Sequence, residues 1–360
     1  MIKYVIKRIL LALLMLFGVS VILYSLVRVM PVNYIETQYY ATHQNVDVSS
    51  DELKKLMLDS NLEDLSVVKE QGYSDLWNKI FHGGETPLDK NGNVKTTSAG
   101  IAATKSIIAG YCSWAGNFLK GDLGHSFKYN RPVSQVISQY MGTSFMISLI
   151  SLILELVIAI PLGVKSACNQ YGKLDYITTV LTMIGISFPS FFFGSIVIKI
   201  FAVDLGWFPV GGMGLSGDIL DQIHHLVLPI LVLTILSVGS MMRYTRTNTL
   251  EVLNADYIRT ARAKGLSEKT VVYKHVFRNT LIPLVTTLAG VIPGLFGGAM
   301  ITEQIFDIQG IGNIAYKAMQ EGDIPFIMAY NMFIAMLTVI GILLTDLMYA
   351  VVDPRVKLGS

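Results

Sequence analysis

The sequence is short of charge. Lys, Arg, Asp and Glu make up 15% of its 360 residues, against roughly 25% in an average soluble chain. Neither sign is in surplus: 28 basic residues stand against 26 acidic ones, a formal net charge of +2. That balance argues against a protein that holds nucleic acid by bulk electrostatics. Two cysteines in this length exclude a disulfide scaffold. There is no Gly-x-x-x-x-Gly-Lys-Ser/Thr loop to cradle a nucleotide phosphate and no His-Glu-x-x-His to hold a catalytic zinc. Leu215-Ser-Gly-Asp218 faintly echoes an ATPase signature, but no phosphate loop accompanies it. His224 and His225 are sequence neighbours that face different ways, and no Cys or carboxylate cluster completes a shell, so no metal site is read there. The chain is not expected to be an enzyme.

Apolar length is what the sequence has instead. Its hydrophobic fraction is 52% and its mean hydropathy +0.52, more apolar surface than a water-soluble fold of this size buries. A helix of about 17–25 apolar residues crosses a bilayer because its backbone polar groups are bonded internally. Six windows fit: Ile9–Val27, Thr143–Val164, Tyr176–Ile198, Leu226–Met242, Thr280–Thr302 and Ile324–Thr345. Only the second holds a charge, Glu155. The first is too long for a typical signal-peptide core and lacks a small-residue cleavage site, so it reads as a retained anchor. The expected fold is an all-α, multi-pass membrane protein with six transmembrane helices.

Orientation follows from Lys and Arg in the short loops. Lys3, Lys7 and Arg8 put the N-terminus in the cytoplasm, and six crossings return the C-terminus, with Arg355 and Lys357, to the same side. The inner segments then hold 15 Lys or Arg, and the two short outer loops one, Lys317. By this reading the inner side carries +10 and the outer side −8, so the near-zero total conceals a chain polarised across the membrane. Cys112 falls outside and Cys168 near the inner face, where they cannot pair within one chain. Arg28 and Lys199 are placed to reach the outer interface, and Asp346 to pair with the basic inner loop.

Three regions result: 1–30, the cytoplasmic N-terminus and first span; 31–142, an extracytoplasmic loop domain with 22 charges; and 143–360, a five-helix core. In the outer domain Ser49 and Glu52 have capping-box spacing, which predicts a short amphipathic helix near Asp51–Asp59. The domain is read as a lid packed on the membrane part, as a docking surface, or as both.

The inner loop Arg243–Asn279 is the most informative stretch. Asp256 stands at an N-cap or first-turn position, Arg262 and Lys264 in a last turn, and Gly265 where a left-handed stop belongs. Between them runs a short helix, Tyr257–Lys264, with small residues Thr260, Ala261 and Ala263. A second helix, Glu268–Arg278, is expected from Ser267. Attraction to anionic lipid accounts for the charge of such a loop. It does not account for a compact knuckle of small residues, which fits entry into a protein groove.

At these residues the chain resembles the permease subunits of ATP-binding-cassette importers. Tyr257-Ile258-Arg259-Thr260-Ala261-Arg262-Ala263-Lys264-Gly265-Leu266 is similar to the peptide-importer form of their cytoplasmic "EAA" loop, with Thr260-Ala261-Arg262 at the letters of that name. Pro283 comes later after Gly265 than in general permeases, a spacing typical of the oligopeptide and dipeptide branch. Trp114, Gly121-Asp-Leu-Gly-His-Ser-Phe127, Arg131-Pro-Val133, Ile160-Pro-Leu-Gly163, Ser187-Phe-Pro-Ser190, Leu205-Gly-Trp-Phe-Pro209, His225-Leu-Val-Leu-Pro229, Glu303, Phe306, Gly310-Ile-Gly312 and Asp353-Pro-Arg355 are similar to that branch in order and spacing. Pro31-Val-Asn-Tyr34 departs from the family's Pro-Gly-Asp-Pro, and about Tyr40 to Ser106 looks like an extended insertion.

The resemblance implies the type I importer permease fold and the B-type subunit of an oligopeptide or dipeptide importer in a bacterial cell membrane. Implied partners are a homologous C-type permease, two cytoplasmic ATPases that bind ATP and Mg, and an extracytoplasmic peptide-binding protein; this chain itself would hold no cofactor. Asp256 to Leu266 would form the ATPase-coupling loop. Glu155, Gly294, Gly297 and Gly298 are candidates for the substrate path. Glu155 could instead bond a partner helix, and Gly290 and Gly294 have the spacing of close helix packing beside Pro293. A nickel or other small-solute permease of the same fold, and a stand-alone secondary transporter or channel, remain as alternatives.

Overall fold

The computed structural model describes residues 2–29, 55, 57–215 and 217–352. Ser49, Glu52 and most of the helix expected near Asp51–Asp59 lie outside these, as do Pro31-Val-Asn-Tyr34, Asp353-Pro-Arg355 and Lys357. In chain order the described elements are α1 (Ile2–Val29), α2 (Leu65–Gln71), α3 (Asp75–Phe81), α4 (Ala99–Leu119), β1 (His125–Ser126), β2 (Arg131–Pro132), α5 (Val133–Cys168), α6 (Lys173–Ser187) and α7 (Ser190–Val197). They continue with α8 (Ile219–Leu253), α9 (Asp256–Ala263), α10 (Phe277–Gly297), α11 (Met300–Ile305), α12 (Ile311–Glu321) and α13 (Ile324–Val352). The chain is mostly helical, and among the described residues the β1–β2 antiparallel pair is its one sheet.

Four of the six apolar windows are helices long enough to cross a bilayer unaided: Ile6–Arg28, Val133–Cys168, Ile219–Leu253 and Ile324–Asp346. The other two are broken. Lys173–Ser187 and Ser190–Asp204 meet at 103°, because Pro189 lacks an N–H and pushes Phe188 into an extended conformation (φ −80°, ψ 126°). Glu268–Val285 and Gly290–Ile305 are bent by 57°, with Pro283 and Pro293 inside α10. The count is therefore six spans if each bent pair is one. The second helix expected in the inner loop does not end at Arg278. Ser267 caps it as expected, accepting from the Thr270 amide, but it runs through a π-helical stretch, Val271–Val276, straight into α10. No glycine or proline stands between Ser267 and Pro283 to stop it.

Two compact units emerge, each treated alone. One comprises the described parts of Met1–Leu10, Ser138–Tyr316 and Met336–Ser360. One buried cluster sets Ile147 of α5 with Val197, Ala202, Leu226, Leu228, Val232, Phe306 and Ile308. A second joins Ala159, Met241, Met242 and Leu284. The Leu205–Gly214 loop seats on Phe306, whose carbonyl accepts from the Gly212 amide at 2.8 Å. Asp346 pairs with Arg8 of α1 at 3.0 Å, not with the basic loop; two helix ends of opposite charge meet within the unit.

The other unit comprises Leu11–Ile137 and Lys317–Ala335 in their described parts. Tyr24, Val27, Met57, Leu62, Ile324 and Met328 form its core, with Trp114 and Phe127 against it. Arg28, near the end of α1, donates to the Glu63 carbonyl at 2.9 Å and the Asn61 carbonyl at 3.1 Å. The Glu63 carboxylate accepts from Ser74 Oγ and the Asp75 amide, both at 2.7 Å, at the start of α3. Asp323 accepts from the Ser126 hydroxyl and from the Phe127 and Lys128 amides, fixing the β1–β2 turn. Lys199, in the first unit, pairs with Asp204 at 2.8 Å.

Close approach of α5 to α8 requires Gly163: a Cβ there would stand 2.8 Å from the Met242 carbonyl and from Thr245 Cβ. At Gly290 and Gly294 a Cβ meets nothing within 4 Å. Gly163→Val is expected to destabilise the detergent-solubilised protein by about 1–3 kcal/mol through overpacking, and Gly290→Ala to stay within about 0.5 kcal/mol. Thermal unfolding of the two variants side by side checks the contrast.

Candidate functional site

The inner-loop candidates assemble into one small body. α9 begins after Ala255, which is extended and makes no side-chain cap bond, so Asp256 is a first-turn acid and not the cap. Thr260 donates to the Asp256 carbonyl at 3.0 Å, and Asp256 lies 3.8 Å from Arg259. Lys264 closes the helix, and Gly265 follows at φ +76°, the left-handed stop expected from the sequence.

The helix divides sharply by face. Ile258 and Ala261 turn inward onto Val271 and Val276, with Val252 and Leu253 packed beside them. Tyr257, Arg259, Thr260, Arg262, Ala263, Lys264, Gly265 and Leu266 are exposed, as is Asp256. Arg262 folds over to Glu268, donating from Nη2 at 2.6 Å and from Nε at 3.2 Å. That bond raises the Arg262 pKa above its ordinary value and staples α9 to the helix that leads into α10. The product is a knuckle with a dry floor, a stapled neck and a solvent face offering one aromatic, one aliphatic and three basic side chains.

The path candidates do not form a comparable cluster. Glu155 is half-buried on α5 and makes no hydrogen bond or ion pair among the described residues. Gly294 faces open space in this chain. Gly297 ends α10, and Gly298 breaks the helix at φ +75°. A Cβ on Gly298 would stand 2.7 Å from Glu303 Oε1 and from the Gly312 amide nitrogen.

Two buried carboxylates of the first unit were not singled out as site residues in the sequence. Glu303 Oε1 accepts from Ser144 Oγ at 2.6 Å and the Ala299 amide at 3.0 Å, while Oε2 accepts from the Asn313 amide at 2.9 Å. Asp175 accepts from Arg246 through Nε at 2.6 Å and Nη2 at 2.8 Å, from the Tyr171 amide at 2.9 Å, and from the Ser166 hydroxyl. In the sequence each is an acid in the first turn of a helix, an ordinary position. No local sequence signal links Asp175 to Arg246, 71 residues away on another helix.

His224 Nε2 lies 2.8 Å from the Trp207 carbonyl and His225 Nδ1 2.9 Å from the Asp221 carbonyl. No group of three or more potential metal ligands exists among the described residues.

Ile258→Ala is expected to cost about 2–5 kcal/mol by opening the floor of the knuckle, and Gly265→Ala about 1–2 kcal/mol from its left-handed backbone. Chemical unfolding of both variants, with the exposed Lys264→Ala as the neutral control, measures this.

Residues 159–358 match the protein family described as "Binding-protein-dependent transport system inner membrane component". "Oligopeptide transport system permease protein AppB" of Bacillus subtilis (strain 168) is 44% identical over 251 residues, 69% of this chain and 79% of that protein. "Dipeptide transport system permease protein DppB" of Lactococcus lactis subsp. cremoris (strain MG1363) is 36% identical over 255 residues, 71% of this chain and 82% of that protein.

Proposed function

The chain belongs to the family of inner membrane components of binding-protein-dependent transport systems, and from that premise we propose that it is a permease subunit moving oligopeptides or dipeptides into the cell. The peptide cargo is supported by the relatives of 44% and 36% identity, whose names specify oligopeptide and dipeptide transport. An extracytoplasmic binding protein delivers the peptide, a homologous C-type permease completes the membrane path, and two cytoplasmic ATPases bind ATP and Mg and drive the cycle. This chain contributes path and coupling and binds no nucleotide.

Six spans with both termini in the cytoplasm put the knuckle inside and the 31–142 region outside, the arrangement favoured by 15 inner Lys or Arg against one in the short outer loops. The single observation that carries the coupling role is the two-faced build of α9. A loop that only attracted lipid headgroups needs charge but no fixed shape. Here Ile258 and Ala261 are committed inward, which leaves Tyr257 and Leu266 exposed on a rigid base, 49% and 40% accessible. Burying such side chains in a groove of an ATPase stabilises the contact, as aromatic anchors do in protein interfaces. ATP-driven closure of the two ATPases then moves the knuckle as a rigid body and rocks the spans between inward- and outward-facing states.

Function is tested in vesicles holding this chain with its own partner subunits and binding protein. ATP-dependent uptake of a labelled oligopeptide is expected, and the Tyr257→Ala/Leu266→Ala variant should insert normally yet lose at least tenfold in uptake. Unchanged uptake by that variant contradicts the coupling role, and uptake without ATP contradicts the class. Orientation is checked by the two free, exposed cysteines. A membrane-impermeant maleimide added to intact cells should modify Cys112 and spare Cys168, and the reverse pattern contradicts the topology.

A further inference from the structure

Asp175 and Glu303 lie in the same unit as the knuckle, and each is bonded to a serine at one edge of the apolar stretch Thr143–Val164 of α5. Ser166 meets Asp175 and Ser144 meets Glu303. The two serines are 22 residues apart on one helix, a rise of about 33 Å, close to the roughly 30 Å of a bilayer's hydrocarbon core. The carboxylates are 4% and 2% exposed. Acids this buried persist only where bonds replace the lost water, and each has three or four donors.

What each carboxylate gathers is specific. Asp175 ties the end of α5 and the turn at Tyr171 to Arg246. Arg246 sits on α8, the helix that runs to Leu253 and hands directly to the knuckle at Asp256. Glu303 ties Ser144 to the break at Gly298–Ala299 and to the start of α12 through the Asn313 amide. A Cβ on Gly312 would meet Glu303 Oε2 at 3.0 Å. Tyr171, which donates to Asp175, is a non-glycine residue in the left-handed region at φ +65°, and so is Asp307, in the turn that follows Glu303, at φ +47°. Such backbone is costly and is kept where its surroundings fix it.

We propose that Asp175 and Glu303 are positioning residues of the transport cycle. They clip the two edges of the apolar stretch of α5, making it the strut through which displacement of the knuckle reaches the Gly298–Asn313 segment at the opposite membrane face. This rests on the reading that the knuckle docks on an ATPase. Apolar helix contacts alone can slide along one another, whereas a bidentate guanidinium–carboxylate pair fixes distance and orientation. Arg246 therefore transfers movement of α8 to α5 and α6 together, and Glu303 delivers it to the broken helix at the far end.

The test uses the complete importer in vesicles, with peptide uptake and ATP hydrolysis read in the same sample for Asp175→Asn, Arg246→Ala, the Asp175→Asn/Arg246→Ala pair, and Glu303→Gln. Expected is at least a tenfold rise in ATP hydrolysed per peptide imported, with the Asp175/Arg246 pair no worse than its worse single variant. Uptake and hydrolysis falling in step, or an unchanged ratio, would overturn the proposal, since a merely structural role lowers both. Ser144→Ala and Ser166→Ala keep both charges in place and give the same readout where a charge variant fails to assemble. If the unmutated importer moves no peptide, the cargo reading fails by itself. The clips are then judged by stimulation of hydrolysis by the binding protein: its loss in the variants supports them and its retention overturns them.

Discussion

A helix interrupted in an apolar environment strands backbone amides that water cannot reach, and each must find a partner inside the protein. The break after α10 meets this demand with one side chain. Gly298 turns the chain at a positive φ, and Glu303 accepts from the Ala299 amide behind it and the Asn313 amide ahead. Because the carboxylate is itself buried, it is stable only while those donors and Ser144 stay in place. The dependence runs both ways and makes the break, the loop and α5 at Ser144 a single rigid node. The turn between α5 and α6 is built alike, with Asp175 as acceptor and Tyr171, Ser166 and Arg246 as donors. Phe306 then packs beside the first node as part of a buried apolar core of the unit.

Rigidity at both edges of the apolar stretch of α5 gives the knuckle its context. A docking element transmits force only if its base does not yield, and α9 meets that condition with a dry floor, the Arg262–Glu268 staple and a glycine stop. The helix that follows it runs without interruption into α10. In the proposed reading this continuity shortens the lever: the second arm of the knuckle is the beginning of a span, and the first arm descends from α8, which carries Arg246.

Much of this architecture is legible in the sequence because it depends on local chemistry. Uncharged windows mark the spans, Ser267 announces its own cap, and Gly265 occupies the place where only a residue tolerant of positive φ ends a helix cheaply. Tyr176–Ile198 read as one window because hydropathy does not register the turn that Pro189 imposes. Arg278 looked like a helix end only because the charged stretch stops there, while the backbone has no reason to stop. The nodes were hidden for a different cause. Asp175 and Arg246 are 71 residues apart, and Ser144 and Glu303 are 159 apart, and no periodicity or motif links positions at such distances. Arg8 and Asp346 are hidden from a single sequence in the same way.

The proposed coupling role depends on the exposed face of the knuckle meeting an ATPase. The most direct measurement places a single cysteine at Leu266 in a functional importer and exposes it to a short bifunctional thiol cross-linker in inside-out vesicles. The account predicts a covalent product with the cytoplasmic ATPase subunit, whose yield changes when ATP is added. Full peptide uptake with no ATPase product from position 266, nor from cysteines at 257 or 264, would contradict it.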